Sequence, residues 1–362
     1  MINSCLKKIR DFVLLTVFNL AIIVFLLIFL EGLCDIIAVV GKDHHALLAE
    51  RSYTQYDPDL GWISIPNTFI KDMYGEGIAL QINSQGFRAH QDFSYDVPKG
   101  KIRLILSGDS FTFGYGVDND HTWGNILTQM DGQIETINMG QGGYGLDQSY
   151  LWYRRDGVKF KHQIHIFAVN PSAFVRYREY ILGGYPKPTL SLENGDLIVH
   201  HTPVPRRPYF VPWVTENLQV LKQLSIYKFI AIHFVKKDTS IKKDMVHEWN
   251  LITIKILEDL QIINKQENST LVVAFLPRLK DLNGNEELRN FLEENLNKRG
   301  IRFIDLTDDF RELSSQDLKA MFISYLKYPY SAGHYSVKGN QWVASVIYQR
   351  LKGFNLLASP GK

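Results

Sequence analysis

The sequence predicts an α/β fold, a three-layer sandwich in which a mostly parallel sheet of about five strands lies between two layers of helices. From residue 101 onward, short apolar runs rich in β-branched residues recur, and such runs suit strands that are buried on both faces. Segments with helical periodicity separate the runs, and this alternation implies parallel strands joined by right-handed crossovers. The predicted strands are Ile102–Leu106, Ile134–Asn138, Ile164–Val169, Leu271–Leu276 and Ile301–Ile304.

Three segments between or after these runs carry the helical signal. His121–Met130, Asn285–Arg299 and Val337–Leu351 each repeat apolar residues at a spacing that places them on one side of a helix. Gly300 and Gly353 follow the last two segments, in the position where glycine commonly ends a helix. These segments are therefore predicted to cover the sheet.

The N-terminus carries a different signal, an apolar run over Phe12–Leu30 whose only polar members are Thr16 and Asn19. A helix of that length spans roughly 28 Å, which is close to the thickness of the hydrocarbon core of a bilayer. Basic residues before the run predict that the N-terminus stays in the cytoplasm. These basic residues are Lys7, Lys8 and Arg10.

A cleaved signal peptide is the alternative, but its apolar region is only ~7–15 residues long and ends at a small-residue cleavage site. Here Glu31–Cys34 follows the run without such a site. We therefore predict a cytoplasmic segment over 1–11 and an uncleaved membrane anchor over 12–31, with the remaining chain in the periplasm or at the cell surface. Cys5 and Cys34 flank the span on opposite sides, so they do not pair within one chain.

The composition argues against several classes of protein. Forty basic and 38 acidic residues give a net charge of +2, which does not favour a nucleic-acid partner. The sequence contains no H-E-x-x-H motif, no C-x-x-C pair and no P-loop. We therefore expect no metal and no cofactor.

Beyond the anchor, the sequence predicts an irregular lead-in over residues 32–100 and a main domain over residues 101–362. The main domain is interrupted at about 171–244 by an insertion far longer than a crossover needs. The first half of the insertion is rich in proline and aromatic residues, and its second half, Glu216–Phe234, has a helical pattern. We predict that the insertion forms a lid or a substrate-binding subdomain.

The triplet Gly108-Asp109-Ser110 directly follows the first strand of the predicted sheet. Ligands of parallel α/β sheets bind where the carboxyl ends of the strands meet, so a serine here would present its hydroxyl to a ligand. A serine nucleophile needs a positioned base and donors for the oxyanion. Residues suited to these roles stand near other strand ends or before the last helix. They are Gly143, Asn170 and His334.

Each residue also has an ordinary interpretation. Ser110 suits a helix N-cap, and Asn170 before a proline suits a turn. Gly143 lies in a flexible glycine-rich loop, and a single histidine is more often a surface or core residue than a base. Their joint order and spacing favour a catalytic site.

This order resembles the SGNH hydrolases, also called GDSL esterases. The lead-in segments 56–62 and 82–88 are similar to what precedes the catalytic domain in the membrane-anchored bacterial members of that family. The family is recognised by four blocks that occur in a constant order. In this chain the matching segments are 108–110, Asn138 to Gly143, Asn170, and Gly333-His334 with the trailing Gly339-Asn340. The resemblance implies a flavodoxin-like sheet and an esterase activity that needs no cofactor.

The resemblance also implies roles for single residues. Ser110 would be the nucleophile, and His334 would act first as general base and then as general acid. The backbone N–H groups of Ser110 and Gly143 and the side chain of Asn170 would form the oxyanion hole. Asp109 is expected to brace the turn without reacting.

The match departs from the family at two positions. The third block usually continues with aspartate, where this chain has Pro171. The fourth block usually has an aspartate three residues before the histidine, where this chain has Ser331, and no acidic residue occurs between Leu318 and Lys362. Three alternatives follow: the Ser331 hydroxyl or a backbone carbonyl orients His334, a distant carboxylate does so, or the site is degraded.

The sequence therefore predicts a membrane-tethered serine hydrolase that cleaves an acyl or acetyl ester through an acyl-enzyme. The expected substrate bears an ester, with an acylated glycan or lipid as the candidates. One alternative is an O-acyltransferase that acts on a cell-envelope glycan. The other is a non-catalytic glycan-binding protein on a degraded hydrolase scaffold.

Overall fold

The computed structural model divides the chain into two compact units. One unit contains residues 1–52 and 207–238, and the other contains residues 53–206 and 239–362. The described residues are 2–40, 53–182, 185–206, 243–284, 286–324 and 331–358.

The strands are β1 (Thr54–Asp57), β2 (Gly61–Ser64), β3 (Phe69–Ile70), β4 (Leu80–Gln81), β5 (Ile102–Gly108), β6 (Ile134–Gly140), β7 (Ile164–Val169), β8 (Ile181–Leu182), β9 (Tyr185–Pro186), β10 (Thr189–Glu193), β11 (Asp196–His200), β12 (Thr270–Phe275) and β13 (Arg302–Asp305). The helices are α1 (Ile2–Val40), α2 (Ser110–Phe113), α3 (Trp123–Met130), α4 (Leu146–Arg155), α5 (Pro171–Arg176), α6 (Lys243–Gln266), α7 (Glu286–Lys298), α8 (Thr307–Arg311), α9 (Ser315–Ala320) and α10 (Val337–Gly353).

In the first unit the described structure is helix α1, which extends beyond the predicted span at both ends. No proline interrupts residues 2–40, so every backbone N–H of the helix interior can donate to the preceding turn. Its segment Leu6–Leu30 has a mean hydropathy of 3.0 and is exposed along its length. By length and composition this helix can cross a membrane.

The second unit contains the predicted parallel sheet, and its five strands lie in the order β13-β12-β7-β5-β6. Every neighbouring pair is parallel, so the predicted fold class is confirmed. Every residue of the central strand β7 and of its neighbour β5 is buried, as their continuous apolar runs indicate. Because β5 lies between β6 and β7, the loops after these three strands begin side by side.

Two groups of helices pack on the sheet. One group consists of α3 and α10, which contact each other, and α3 also contacts β6. The other consists of α4 and α6, which contact each other, and α4 also contacts β5. The predicted helix at His121–Met130 begins two residues later, at Trp123. Thr122 ends the preceding loop as the N-cap, since its side chain accepts the N–H of Asn125.

The lead-in and the first part of the insertion form small antiparallel pairs. In the lead-in, β1 pairs with β2 and β3 pairs with β4, and in the insertion β8 pairs with β9 and β10 pairs with β11. The helix predicted over Glu216–Phe234 lies outside the described residues. The lid role of the insertion stays a prediction.

Candidate active site

Strand β5 leads into a tight turn that carries Ser110. Asp109 is the N-cap of the short helix α2, and its Oδ1 accepts the N–H of Phe111 at 2.9 Å. Ser110 is the first residue of that helix, so the capping role falls to Asp109 and leaves the Ser110 hydroxyl free for another partner. Gly108 is needed at the end of the strand, because a Cβ there would lie 2.8 Å from the carbonyl oxygen of Ala168.

The hydroxyl of Ser110 is paired with His334, which is 224 residues away in sequence. The distance from Ser110 Oγ to His334 Nε2 is 2.9 Å, and His334 Nδ1 lies 3.1 Å from the backbone oxygen of Ser331. A carbonyl oxygen only accepts hydrogen bonds, so Nδ1 carries the proton and the Nε2 lone pair faces the serine O–H. In the described part of the chain no carboxylate contacts this imidazole, and the Ser331 carbonyl, not its hydroxyl, orients the ring.

The loop that carries His334 makes two backbone hydrogen bonds with Ile323. The N–H of Gly333 donates to the carbonyl of Ile323 at 2.9 Å, and the N–H of Ile323 donates to the carbonyl of His334 at 2.8 Å. The imidazole also packs on the rings of Phe111 and Tyr115, with centroid distances of 4.8 and 5.2 Å. These contacts leave the ring little freedom to rotate away from Ser110.

The surroundings of His334 favour its neutral form. Burial lowers its pKa below the ordinary value of 6.5, and the negative charge of Asp109 opposes this effect. The guanidinium groups of Arg176 and Arg278 lower the pKa further. A neutral imidazole is the form that accepts a proton from serine.

Asp109 connects the serine turn to its neighbouring loops. Its Oδ2 accepts Nδ2 of Asn170 at 2.7 Å and Nη1 of Arg176, also at 2.7 Å. The same Nη1 donates to the carbonyl oxygen of Tyr144 at 3.3 Å, directly after Gly143. Sequence reasoning did not identify Arg176, because no short-range motif links it to an aspartate 67 residues earlier.

The side-chain oxygen of Asn170 caps helix α5, and its amide nitrogen remains for other hydrogen bonds. Its Oδ1 accepts the N–H groups of Ser172 and Ala173 at 2.8 and 3.2 Å, which makes it the N-cap of α5 with Pro171 at the first helical position. An amide nitrogen carries two hydrogens, and among the described residues Asp109 accepts only one of them. The other hydrogen is available to a ligand.

The glycine loop, residues 140–145, starts beside the serine turn because Gly140 pairs with Gly108 across β5 and β6. A Cβ on Gly140 would lie 2.6 Å from the backbone carbon of Thr112, so only glycine allows this approach. Gly143 has a φ of +84°, a conformation that glycine adopts readily. Within the described ranges the N–H of Gly143 has no acceptor. Its place in an oxyanion hole stays a prediction.

The site is built from hydroxyl, imidazole and amide groups. In the described ranges, no three His, Cys, Asp or Glu side chains lie close enough together to hold a metal ion.

Comparison with known proteins found no matching family model and no matching curated protein. Several solved structures are similar at low identity. A lipolytic protein of the G-D-S-L family from Desulfitobacterium hafniense is 15% identical, with a TM-score of 0.40, over 69% of this chain and 99% of that one. A member of the same family from Veillonella parvula is 12% identical, with a TM-score of 0.39, over 69% and 98%. An acetyl xylan esterase is 16% identical, with a TM-score of 0.36, over 69% and 100%.

A five-stranded parallel sheet has the serine turn after β5, the glycine loop after β6, the asparagine after β7 and the histidine loop before α10. This is the arrangement that the resemblance to the SGNH hydrolases implies, with each of the four blocks at its expected place around a parallel five-stranded sheet.

Proposed function

We propose that this protein is a serine esterase that hydrolyses an acyl or acetyl ester through a Ser–His mechanism. The observation that carries the proposal is the 2.9 Å hydrogen bond between Ser110 Oγ and His334 Nε2, in a tautomer set by the Ser331 carbonyl. A serine with a correctly oriented neutral imidazole is an activated nucleophile.

In the first half of the reaction, the Ser110 oxygen attacks the ester carbonyl carbon while its proton moves to His334 Nε2. The negative oxygen of the tetrahedral intermediate accepts hydrogen bonds from the N–H groups of Ser110 and Gly143 and from the second N–H of Asn170. Each such donor lowers the barrier by ~3–4 kcal/mol. The imidazolium then gives its proton to the departing alkoxide, and an acyl-enzyme remains.

In the second half, water attacks the acyl-enzyme with His334 as base. The carboxylic acid leaves, and Ser110 recovers its proton. The usual aspartate is missing, but two groups favour the imidazolium that forms in each half. The Ser331 carbonyl accepts a charge-assisted hydrogen bond from Nδ1, and the buried carboxylate of Asp109 adds a favourable electrostatic interaction. Both support a working dyad over a degraded site.

We also propose that α1 anchors the enzyme in a membrane, with residues 1–11 in the cytoplasm and the catalytic unit outside. The apolar segment Leu6–Leu30 and the basic residues at its start support this orientation. The substrate would then be an ester-bearing glycan or lipid of the cell envelope.

A fluorophosphonate serine probe tests the mechanism on the full chain in detergent micelles. We expect labelling of the wild type and none of Ser110→Ala or His334→Ala. Ser345→Ala and His90→Ala are the matched controls, because both side chains are exposed, and they should label like the wild type. A folded wild type that does not label would contradict the proposal and favour a non-catalytic binding protein.

Hydrolysis of p-nitrophenyl acetate with and without a sugar acceptor then identifies the acyl acceptor. Release of free acetate at the same rate in both mixtures is expected for an esterase. Transfer of the acetyl group to the sugar, at the expense of free acetate, would identify an O-acyltransferase.

A further inference from the structure

The glycine loop is held by a residue from outside the four sequence blocks. Trp62, in the lead-in strand β2, donates from its indole Nε1–H to the carbonyl oxygen of Gly142 at 3.0 Å. The backbone oxygen of Trp62 accepts the hydroxyl of Tyr144 at 2.5 Å. Trp62 is 4% exposed, so both bonds are shielded from competing water.

Further contacts fix the indole ring and the hairpin that bears it. The ring packs edge-on against the rings of Tyr144 and Tyr185, with centroid distances of 5.6 and 6.1 Å. The hydroxyl of Ser64, at the end of β2, donates to Oε1 of Gln141 at 3.0 Å. The β1–β2 hairpin is thus hydrogen-bonded to the glycine loop through both Trp62 and Ser64. The ring contacts fix the position of the indole.

The bond to Gly142 controls the direction of the next N–H. The carbonyl of Gly142 and the N–H of Gly143 belong to one peptide group, which is planar and trans, so the two bonds point in opposite directions. Because Trp62 holds the oxygen, the N–H of Gly143 points away from the indole. Without this bond, a peptide between two glycines would rotate easily.

We infer that Trp62 is a positioning residue for the esterase reaction, which aims the N–H of Gly143 at the oxyanion by holding the carbonyl of Gly142. This inference rests on the proposed function. It also gives the lead-in a part in catalysis through this one side chain, since Trp62 in β2 holds a loop of a site whose reacting groups lie outside the lead-in.

Trp62→Phe in the full chain tests the inference, because it removes the N–H and keeps an aromatic ring. We expect kcat for p-nitrophenyl acetate to fall roughly tenfold to hundredfold, because a donor that acts mainly in the transition state is misaligned. The KM should change less than about twofold. The affinity for an alkylboronic acid, which forms a tetrahedral adduct with serine, should fall in the same proportion as kcat/KM.

Tyr56→Phe is the matched control. Tyr56 lies in the same hairpin, and its hydroxyl donates to a backbone oxygen away from the glycine loop, that of Val204 at 2.5 Å. Tyr56→Phe removes this bond and leaves the bond from Trp62 to Gly142 in place, so kcat should stay at the wild-type value.

The outcomes separate the inference from the proposed function. A Trp62→Phe enzyme with the kcat and boronate affinity of Tyr56→Phe would overturn the inference alone. A wild type without turnover would overturn the proposed function and the inference with it. Should Trp62→Phe fail to fold, Trp62→benzothienylalanine keeps the ring shape and replaces the N–H by sulfur, and the same two outcomes apply.

Discussion

Replacing Gly116 by alanine would displace the loop that orients His334. Gly116 has a φ of +98°, and an added Cβ would lie 2.4 Å from Cδ1 of Ile323 and 2.7 Å from the Cβ of Ser331. Ordinary van der Waals contact begins at 3.4 Å, so Ser331 must move by about 0.7 Å. If its carbonyl moves by the same distance along the line to His334 Nδ1, the 3.1 Å separation grows to roughly 3.8 Å, which is no longer a hydrogen bond.

Two effects of this substitution need to be separated. Alanine at positive φ costs about 1–2 kcal/mol of backbone strain wherever it occurs. A catalytic group misplaced by up to 1 Å costs on the order of a hundredfold in rate. We therefore expect Gly116→Ala to lower both the free energy of unfolding and kcat.

Gly100→Ala isolates the strain. Gly100 has a φ of +76°, and no atom lies within 4 Å of its added Cβ, so it should lose similar stability and keep its kcat. Urea unfolding and kcat for p-nitrophenyl acetate measure the two quantities. A Gly116→Ala enzyme with the kcat of Gly100→Ala would refute the idea that the Ser331 carbonyl holds His334 in place.

Three further predictions concern charge and burial. Because burial lowers the pKa of His334, the base form persists below pH 6.5, and the acid limb of kcat/KM should bend below that value; an inflection above pH 6.5 would contradict this. Lys187 and Asp147 form a fully buried ion pair, so Lys187→Met should lower the free energy of unfolding in urea by about 3–5 kcal/mol. Adding Asp147→Asn to this variant should recover most of the loss, because no unpaired charge then stays buried. An equal loss in the single and the double variant would rule out the ion-pair explanation. Burial lowers the pKa of His165 well below 6.5, so below that pH the unfolded chain takes up a proton that the folded chain does not. The free energy of unfolding should therefore fall as the pH drops from 7 to 5, by up to about 1.4 kcal/mol per unit, and less steeply in His165→Gln; parallel curves would contradict this.

The sheet was predictable because each of its strands has a recognisable local sequence pattern. The apolar runs predicted at 102–106, 134–138 and 164–169 match β5, β6 and β7 to within two residues at each end. Burial on both faces leaves little room for polar residues, so such strands are visible without any knowledge of their neighbours. Parallel pairing then brings the residues that follow them to one edge of the sheet.

The atom that accepts the hydrogen bond from Nδ1 of His334 was not predictable from the sequence. The sequence shows that no aspartate stands at position 331, and it allows a hydroxyl, a carbonyl or a distant carboxylate in its place. The choice depends on how the loop is folded, and that depends on its pairing with Ile323. A backbone carbonyl carries no sequence signature, because every residue has one.

The sequence by itself determined the class of the fold, the apolar N-terminal segment and the order of the four blocks, because each is recognised from short, continuous segments of the chain. Only the tertiary structure decided that Ser331 holds His334 through its carbonyl, that Arg176 joins Asp109 to the glycine loop, and that Trp62 grips that loop. The contacts of Arg176 and Trp62 join residues far apart in sequence and arise only when elements pack, and the Ser331 carbonyl faces His334 because the loop between them pairs with Ile323. A single sequence carries no local pattern for either.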